Sequence, residues 1–241
     1  MFPKSEGYVH RVLRGIRLTR GDIRHLFIHI PKNAGTAIMR TSAILNQAVG
    51  VNKLFLSPSY RRSLRSVLPG PTGRGSNYQH ARLIDVSRFV RQRLQPFAII
   101  RNPWSRVVSR YMFAEKALKG HAFSFEEFLE ERHLYGERDF YWHSAARGWG
   151  QQIEYVVDET GLIACDLLRF ESLDADLSIY LEYVVNVPRV NSSNNTRDYR
   201  SFYNSRSIQI VADWYAADIK TFRFDFDTPA QIDMPHRSGI G

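Results

Sequence analysis

"HLFIHIPKNAGTAIMRTSAIL", residues His25 to Leu45, decides how this chain folds. Leu26 to Ile30 alternates apolar side chains as a strand does. Pro31 and Lys32 break that pattern, Asn33, Ala34 and Gly35 form a turn of small residues, and Thr36 to Gln47 reads as a helix. A second stretch, "FAIIRNPWSRVVSRYMFA", repeats the design: Phe97 to Ile100 is a compact apolar strand ending at Arg101. Asn102 then caps a helix that runs to about Leu118, with Pro103 in its first turn, where a missing N–H costs nothing. Two buried strands, each feeding a helix, argue for an α/β fold with a parallel sheet covered on both faces.

The remaining segments fit that class. Lys53 to Leu56 and Leu162 to Leu168 read as further strands, and Ser87 to Leu94 as a short amphipathic helix. Ser124 and Glu127 form a capping box for a helix ending near Tyr135. Asp174 to Val185 and Ser205 to Thr221 carry apolar residues at helical spacing. The chain is 44% hydrophobic and 24% charged, so it can fill a core and is not a disordered polymer. Its 241 residues fit a basic N-terminal arm, residues 1–24, and a single domain, residues 25–241. Only "LPGPTGRGSN", Leu68 to Asn77, is biased towards turn residues.

Several classes are disfavoured. No apolar run approaches the roughly 20 residues a membrane span needs. The N-terminus lacks the uninterrupted apolar core of a signal peptide. The single cysteine, Cys165, rules out an internal disulfide, fits a reducing cytoplasm, and reads as core packing within its apolar run. The expected location is therefore cytoplasmic. A net charge of +9 points to an anionic partner. Arg11, Arg14, Arg17 and Arg20 recur among apolar residues, either as a solvated helix face or as an arm for an anionic substrate or membrane surface.

Ligands of open α/β sheets bind outside the carboxyl ends of the strands. There the small-residue turn exposes backbone N–H groups, a helix start adds its dipole, Lys32 brings a full charge and Thr36 a hydroxyl: the parts of a phosphate cradle. The lysine precedes the glycine, so this is not the triphosphate-binding "GxxxxGK[ST]" loop. At the next strand end, Arg101, with Ser109 flanked by Arg106 and Arg110, suits a second phosphate. Two anion sites on strand ends imply a ligand with two phosphate-like groups.

These residues carry a family resemblance. "IPKNAGTAI" resembles the 5′-phosphosulfate loop of sulfotransferases that use 3′-phosphoadenosine 5′-phosphosulfate (PAPS), and "RNPWSRVVSRY" resembles their 3′-phosphate motif. "YQHARLIDVSRFV" is similar to the histidine segment of the uronyl and heparan sulfate 2-O-sulfotransferase branch, with Gln79 where that branch has glycine. "LLRFESLDADL" and "RVNSS" resemble two later segments, with Arg189 in place of a histidine. The resemblance runs from about His25 to Asp227. It implies a P-loop-like three-layer fold, PAPS as donor and no metal. It also implies transfer of a sulfuryl group to an acceptor hydroxyl, such as that of a carbohydrate or small alcohol, with no nucleic-acid partner. Pro31, Lys32, Asn33, Ala34, Gly35, Thr36 and Ala37 would hold the 5′-phosphate, Arg101 and Ser109 the 3′-phosphate. Lys32 would also serve catalysis, and His80 would be the general base, with Asp85, Glu126 and Glu127 as fallback bases.

Other readings stay open from the residues alone. Histidines 25, 29, 121, 133 and 143 compete with His80. The aromatic stretch Phe140 to Gly150 is either core or a stacking surface for an acceptor, and "GPTGRGS" is a candidate lid. A P-loop kinase would need a metal-binding acid at a strand end and a lysine inside the turn. A non-catalytic binder of acidic polymers would need only the charge.

Overall fold

The computed structural model describes residues 17–67, 78–117, 123–135, 149–188 and 198–232. Strand β1 (His25–Ile28) leads through two single-turn helices, α1 (Gly35–Ile38) and α2 (Ser42–Leu45), into β2 (Ala48–Gly50). Helices α3 (Pro58–Val67) and α4 (Arg88–Arg93) precede β3 (Gln95–Ile100), which feeds the long α5 (Pro103–Ala117). Helix α6 (Phe125–Tyr135) and the short α7 (Ile153–Val156) come before β4 (Asp166–Arg169). Helices α8 (Leu173–Leu181), α9 (Ser205–Trp214) and α10 (Ala216–Phe222) follow.

The four strands are all parallel, in the order β2-β1-β3-β4. Side-chain alternation divides the core in two. Leu26, Ile28, Val49, Ala98, Ile100 and Leu167 face a layer that includes Trp104, Val107 and Val108 of α5 and Val211 of α9. Phe27, Ala48, Phe97, Ile99 and Leu168 face the opposite layer, with Ile38, Ile44, Leu177 and Leu181. Both faces are covered, so the strands read as continuous apolar runs, and the result is a three-layer α/β fold. Cys165 is fully buried, and burial pushes its thiol well above the ordinary range, as core packing requires. No helix among the described residues is long and apolar enough to cross a membrane.

Strand order places the crevice. From β1 the chain steps outward to β2, then crosses back so that β3 lies on β1's other side. The carboxyl ends of β1 and β3 therefore flank a topological switch point, the place where open α/β sheets bind their ligands.

Several expected elements differ. The helix expected from Thr36 to Gln47 breaks at Thr41, which is extended (φ −86°, ψ 105°). The Thr41 hydroxyl donates to the Ala37 carbonyl at 2.9 Å, a local bond that competes with helix continuation. Lys53 to Leu56 is not a strand, because the Asn52 side chain accepts from Leu54 N at 2.9 Å and closes a turn. Leu56 makes only a single antiparallel bridge to Val86. The helix expected over Ser205 to Thr221 is interrupted at Tyr215, and that expected over Asp174 to Val185 ends with Glu182 left-handed (φ 62°). The strand expected from Leu162 begins only at Asp166, after Ile163 has bridged to Val157. The two helix caps stand. Asn102 Oδ1 accepts from Trp104 N at 3.0 Å, and Ser124 and Glu127 exchange backbone and side-chain bonds.

Candidate anion-binding site

The turn after β1 holds two L-residues in left-handed backbone, Lys32 (φ 71°) and Ala34 (φ 60°). Such conformations cost about 1–2 kcal/mol each and persist only where the surroundings impose them. Gly35 is imposed by sterics: a Cβ there would lie 1.7 Å from His29 Nε2, so the turn closes over a buried imidazole only without a side chain. Pro31's carbonyl accepts from Arg106 Nε at 3.1 Å and Lys32's from Arg101 Nη1 at 3.0 Å. Asn33 is buried and braces the turn, its amide donating to the Ile99 carbonyl and to Gln152 Oε1, both at 2.6 Å.

Those contacts revise the expected cradle. The backbone N–H groups of Ala34, Gly35 and Thr36 make no hydrogen bond with a described residue. Ala37 N–H donates to the Ala34 carbonyl at 2.9 Å and so is not available to an anion. Helix α1 has only four residues, so it supplies no sustained dipole behind the turn. Three N–H groups and the exposed Thr36 are what the turn offers.

The cations gather here. Lys32 Nζ lies 4.3 Å from the centroid of the Phe113 ring on α5 and has no carboxylate partner among the described residues. Burial, then Arg110 and Arg101, push its pKa down to about 8. Arg101 donates through Nε and Nη2 to Ser105 Oγ, at 3.0 and 2.8 Å, and its guanidinium lies 4.0 Å from the Phe170 ring centroid. Burial lowers its pKa to about 10, although Glu171 acts the other way. Arg106 is buried and donates to the Gly150 carbonyl at 2.9 Å, and Arg110 lies 4.3 Å from the Trp149 ring centroid. Ser109 is half-buried and its hydroxyl makes no hydrogen bond with a described residue. Arg101 is thus joined to Ser105, one turn before the expected Ser109.

His80 sits in a single 3-10 turn, buried against β1. Its Nδ1 lies 3.0 Å from the His29 carbonyl. A carbonyl only accepts, so Nδ1 carries a proton, and in the neutral ring Nε2 is then the acceptor. Gln79 Nε2 lies 3.1 Å from that nitrogen and donates to it. The His29 and His80 ring centroids are 4.2 Å apart. Burial, reinforced by His80, holds His29 well below the ordinary histidine range. The fallback bases are bonded elsewhere: Asp85 to Arg82 and Glu127 to its helix cap, while Glu126 accepts from Asn204.

Sequence reading missed three contributors. Gln152 and Asp218 form a buried bracing network, and the exposed Phe113 lies beside Lys32. None belongs to a spacing motif. Phe113 was legible in principle, one helical face along α5 from Arg106 and Arg110. The "GPTGRGS" loop, residues 1–16, His121, His143, residues 140–148 and Arg189 to Ser193 lie outside the described residues, as does the His133 side chain. Comparison with protein-family models, curated proteins and solved structures returned no match.

Proposed function

We propose that this chain is a sulfotransferase, moving a sulfuryl group from PAPS to an acceptor hydroxyl. One observation carries the reading. Lys32 and Arg101, neither paired with a described carboxylate, meet three open backbone N–H groups at the β1–β3 switch point. Burial is the chief cause of both lowered pKa values, with Arg110 and Arg101 adding to it at Lys32 and Arg106 at Arg101. A polyanion there would relieve that cost.

The residues divide the work. In an in-line transfer the bond from sulfur to the phosphate oxygen breaks as a bond to the acceptor oxygen forms. Lys32 would neutralise the charge that grows on the departing phosphate oxygen. The Ala34, Gly35 and Thr36 N–H groups and the Thr36 hydroxyl would hold that phosphate, with Arg101 and Ser109 serving the 3′-phosphate. His80 Nε2 would take the acceptor's proton, with Gln79 giving way to the incoming hydroxyl. Phe113, 64% exposed beside Lys32, offers an apolar face that suits a carbohydrate or small alcohol.

Thermal shift with three ligands tests the reading. Adenosine 3′,5′-bisphosphate should raise the melting temperature, and ATP with magnesium should not. The reverse result would make the chain a nucleotide phosphotransferase. Response to neither, with salt-sensitive binding of acidic polymers, would leave a non-catalytic binder.

A further inference from the structure

One buried amide holds both halves of the crevice. Gln152 is 0% exposed. Its Oε1 accepts from Asn33 Nδ2 at 2.6 Å and from Arg101 N at 2.9 Å, while its Nε2 donates to the Arg101 carbonyl at 2.8 Å. The side chain therefore pairs with Arg101 as a neighbouring strand residue would, just beyond the end of β3. The same oxygen holds the turn that follows β1. Gln152 is itself anchored: its N–H donates to Asp218 Oδ2 and that of Ile153 to Asp218 Oδ1, each at 2.8 Å.

We propose that Gln152 is a positioning residue that fixes the separation of Lys32 from Arg101, with Asp218 holding Gln152 in place. The inference rests on reading this crevice as the anion site. Arg101 disfavours the Lys32 charge, so bonds between the two strand ends, that from Arg101 to the Lys32 carbonyl among them, keep the turn from moving away. Gln152 opposes that motion through backbone and Asn33 bonds, leaving the Lys32 ammonium unspent. An amide suits the place because it presents a donor and an acceptor on one planar group. Removing it would strand the Arg101 N–H and carbonyl, while Asn33 would keep only its bond to the Ile99 carbonyl.

Gln152→Glu is the discriminating variant. Ionised, its second oxygen would face the Arg101 carbonyl, acceptor against acceptor. Protonated, the carboxyl would donate to that carbonyl and still accept from Asn33 and Arg101, reproducing the amide. Affinity for adenosine 3′,5′-bisphosphate, taken relative to wild type at the same pH, should fall on the order of tenfold near neutrality. It should recover as the pH is lowered. A ratio that stays flat with pH, whatever the melting temperature does, overturns the proposal. Gln152→Ala gives a readout that needs no nucleotide, the NMR titration of the Lys32 amine. Release of the turn should move that titration up from about 8 towards the ordinary lysine range, and an unmoved titration overturns the proposal. Wild-type protein that ignores the bisphosphate would sink the sulfotransferase reading alone. The clamp would then be decided by the Lys32 titration.

Discussion

Lys32 holds its charge in surroundings that disfavour it, and the consequence is measurable. Its pKa of about 8 lies below the lysine norm because of burial and two arginines. A bound anion favours the protonated form, so binding takes up a proton above pH 8. Affinity for adenosine 3′,5′-bisphosphate should therefore fall by up to about tenfold per pH unit above that point. Calorimetric titration across pH checks this, and Lys32→Met should flatten the slope. Gly35 makes a steric prediction. Gly35→Ala drives a Cβ into the His29 ring, an overpacking worth about 1–3 kcal/mol. His29→Ala in the same chain should restore part of the loss in a double-variant cycle. The turn at Lys32 to Gly35 was legible because small residues after a buried strand reflect local chemistry. The loss of Ala37's N–H to Ala34 was not, since which amide a short helix consumes depends on where that helix breaks.

At the scale of elements, the beginnings of helices were legible and their interruptions were not. Asn102–Pro103 and Ser124–Glu127 are short-range signals, and both helices start where those residues say. Breaks at Thr41 and Tyr215 come with bonds that leave the helical ladder: the Thr41 hydroxyl donates to Ala37, and just past Tyr215 the Ala217 N–H donates to the Gln151 side chain at 3.2 Å. Periodicity is blind to both. Asn102 does more than cap. Its Nδ2 donates to the Asp225 and Thr228 carbonyls at 2.9 and 3.0 Å, tying α5 to the segment beyond α10. Asn102→Ser keeps a cap acceptor but loses the amide donors, whereas Asn102→Ala loses both. Chemical denaturation should find the alanine variant less stable by about 2–3 kcal/mol, with serine between it and wild type. Equal losses would show that the cap contributes nothing.

The parallel sheet covered on both faces followed from buried strands that each feed a helix, but the strand order did not, because pairing depends on contacts distant in sequence. That order brings Lys32, Arg101 and Gln152 together. It also buries titratable groups whose opposed demands set the molecule's acid stability. His29 and His25 are held below the ordinary histidine range, chiefly by burial, so the unfolded chain binds more protons than the folded one below about pH 6.5. Their contribution makes stability fall as the pH drops through that region. Asp218 acts oppositely. Burial raises its pKa from 3.8 to about 6, so the folded state binds the extra proton. Holding it ionised costs about 3 kcal/mol near neutrality, and that cost fades as the pH falls from 6 towards 4. His29→Phe keeps a ring against Phe27 and His80 but cannot titrate, so its melting temperature should decline less than that of wild type between about pH 6.5 and 5. Asp218→Asn removes the compensating carboxyl and should decline more steeply over the same interval. Melting curves across pH for the three proteins decide it. Parallel declines would mean that neither buried group governs acid stability.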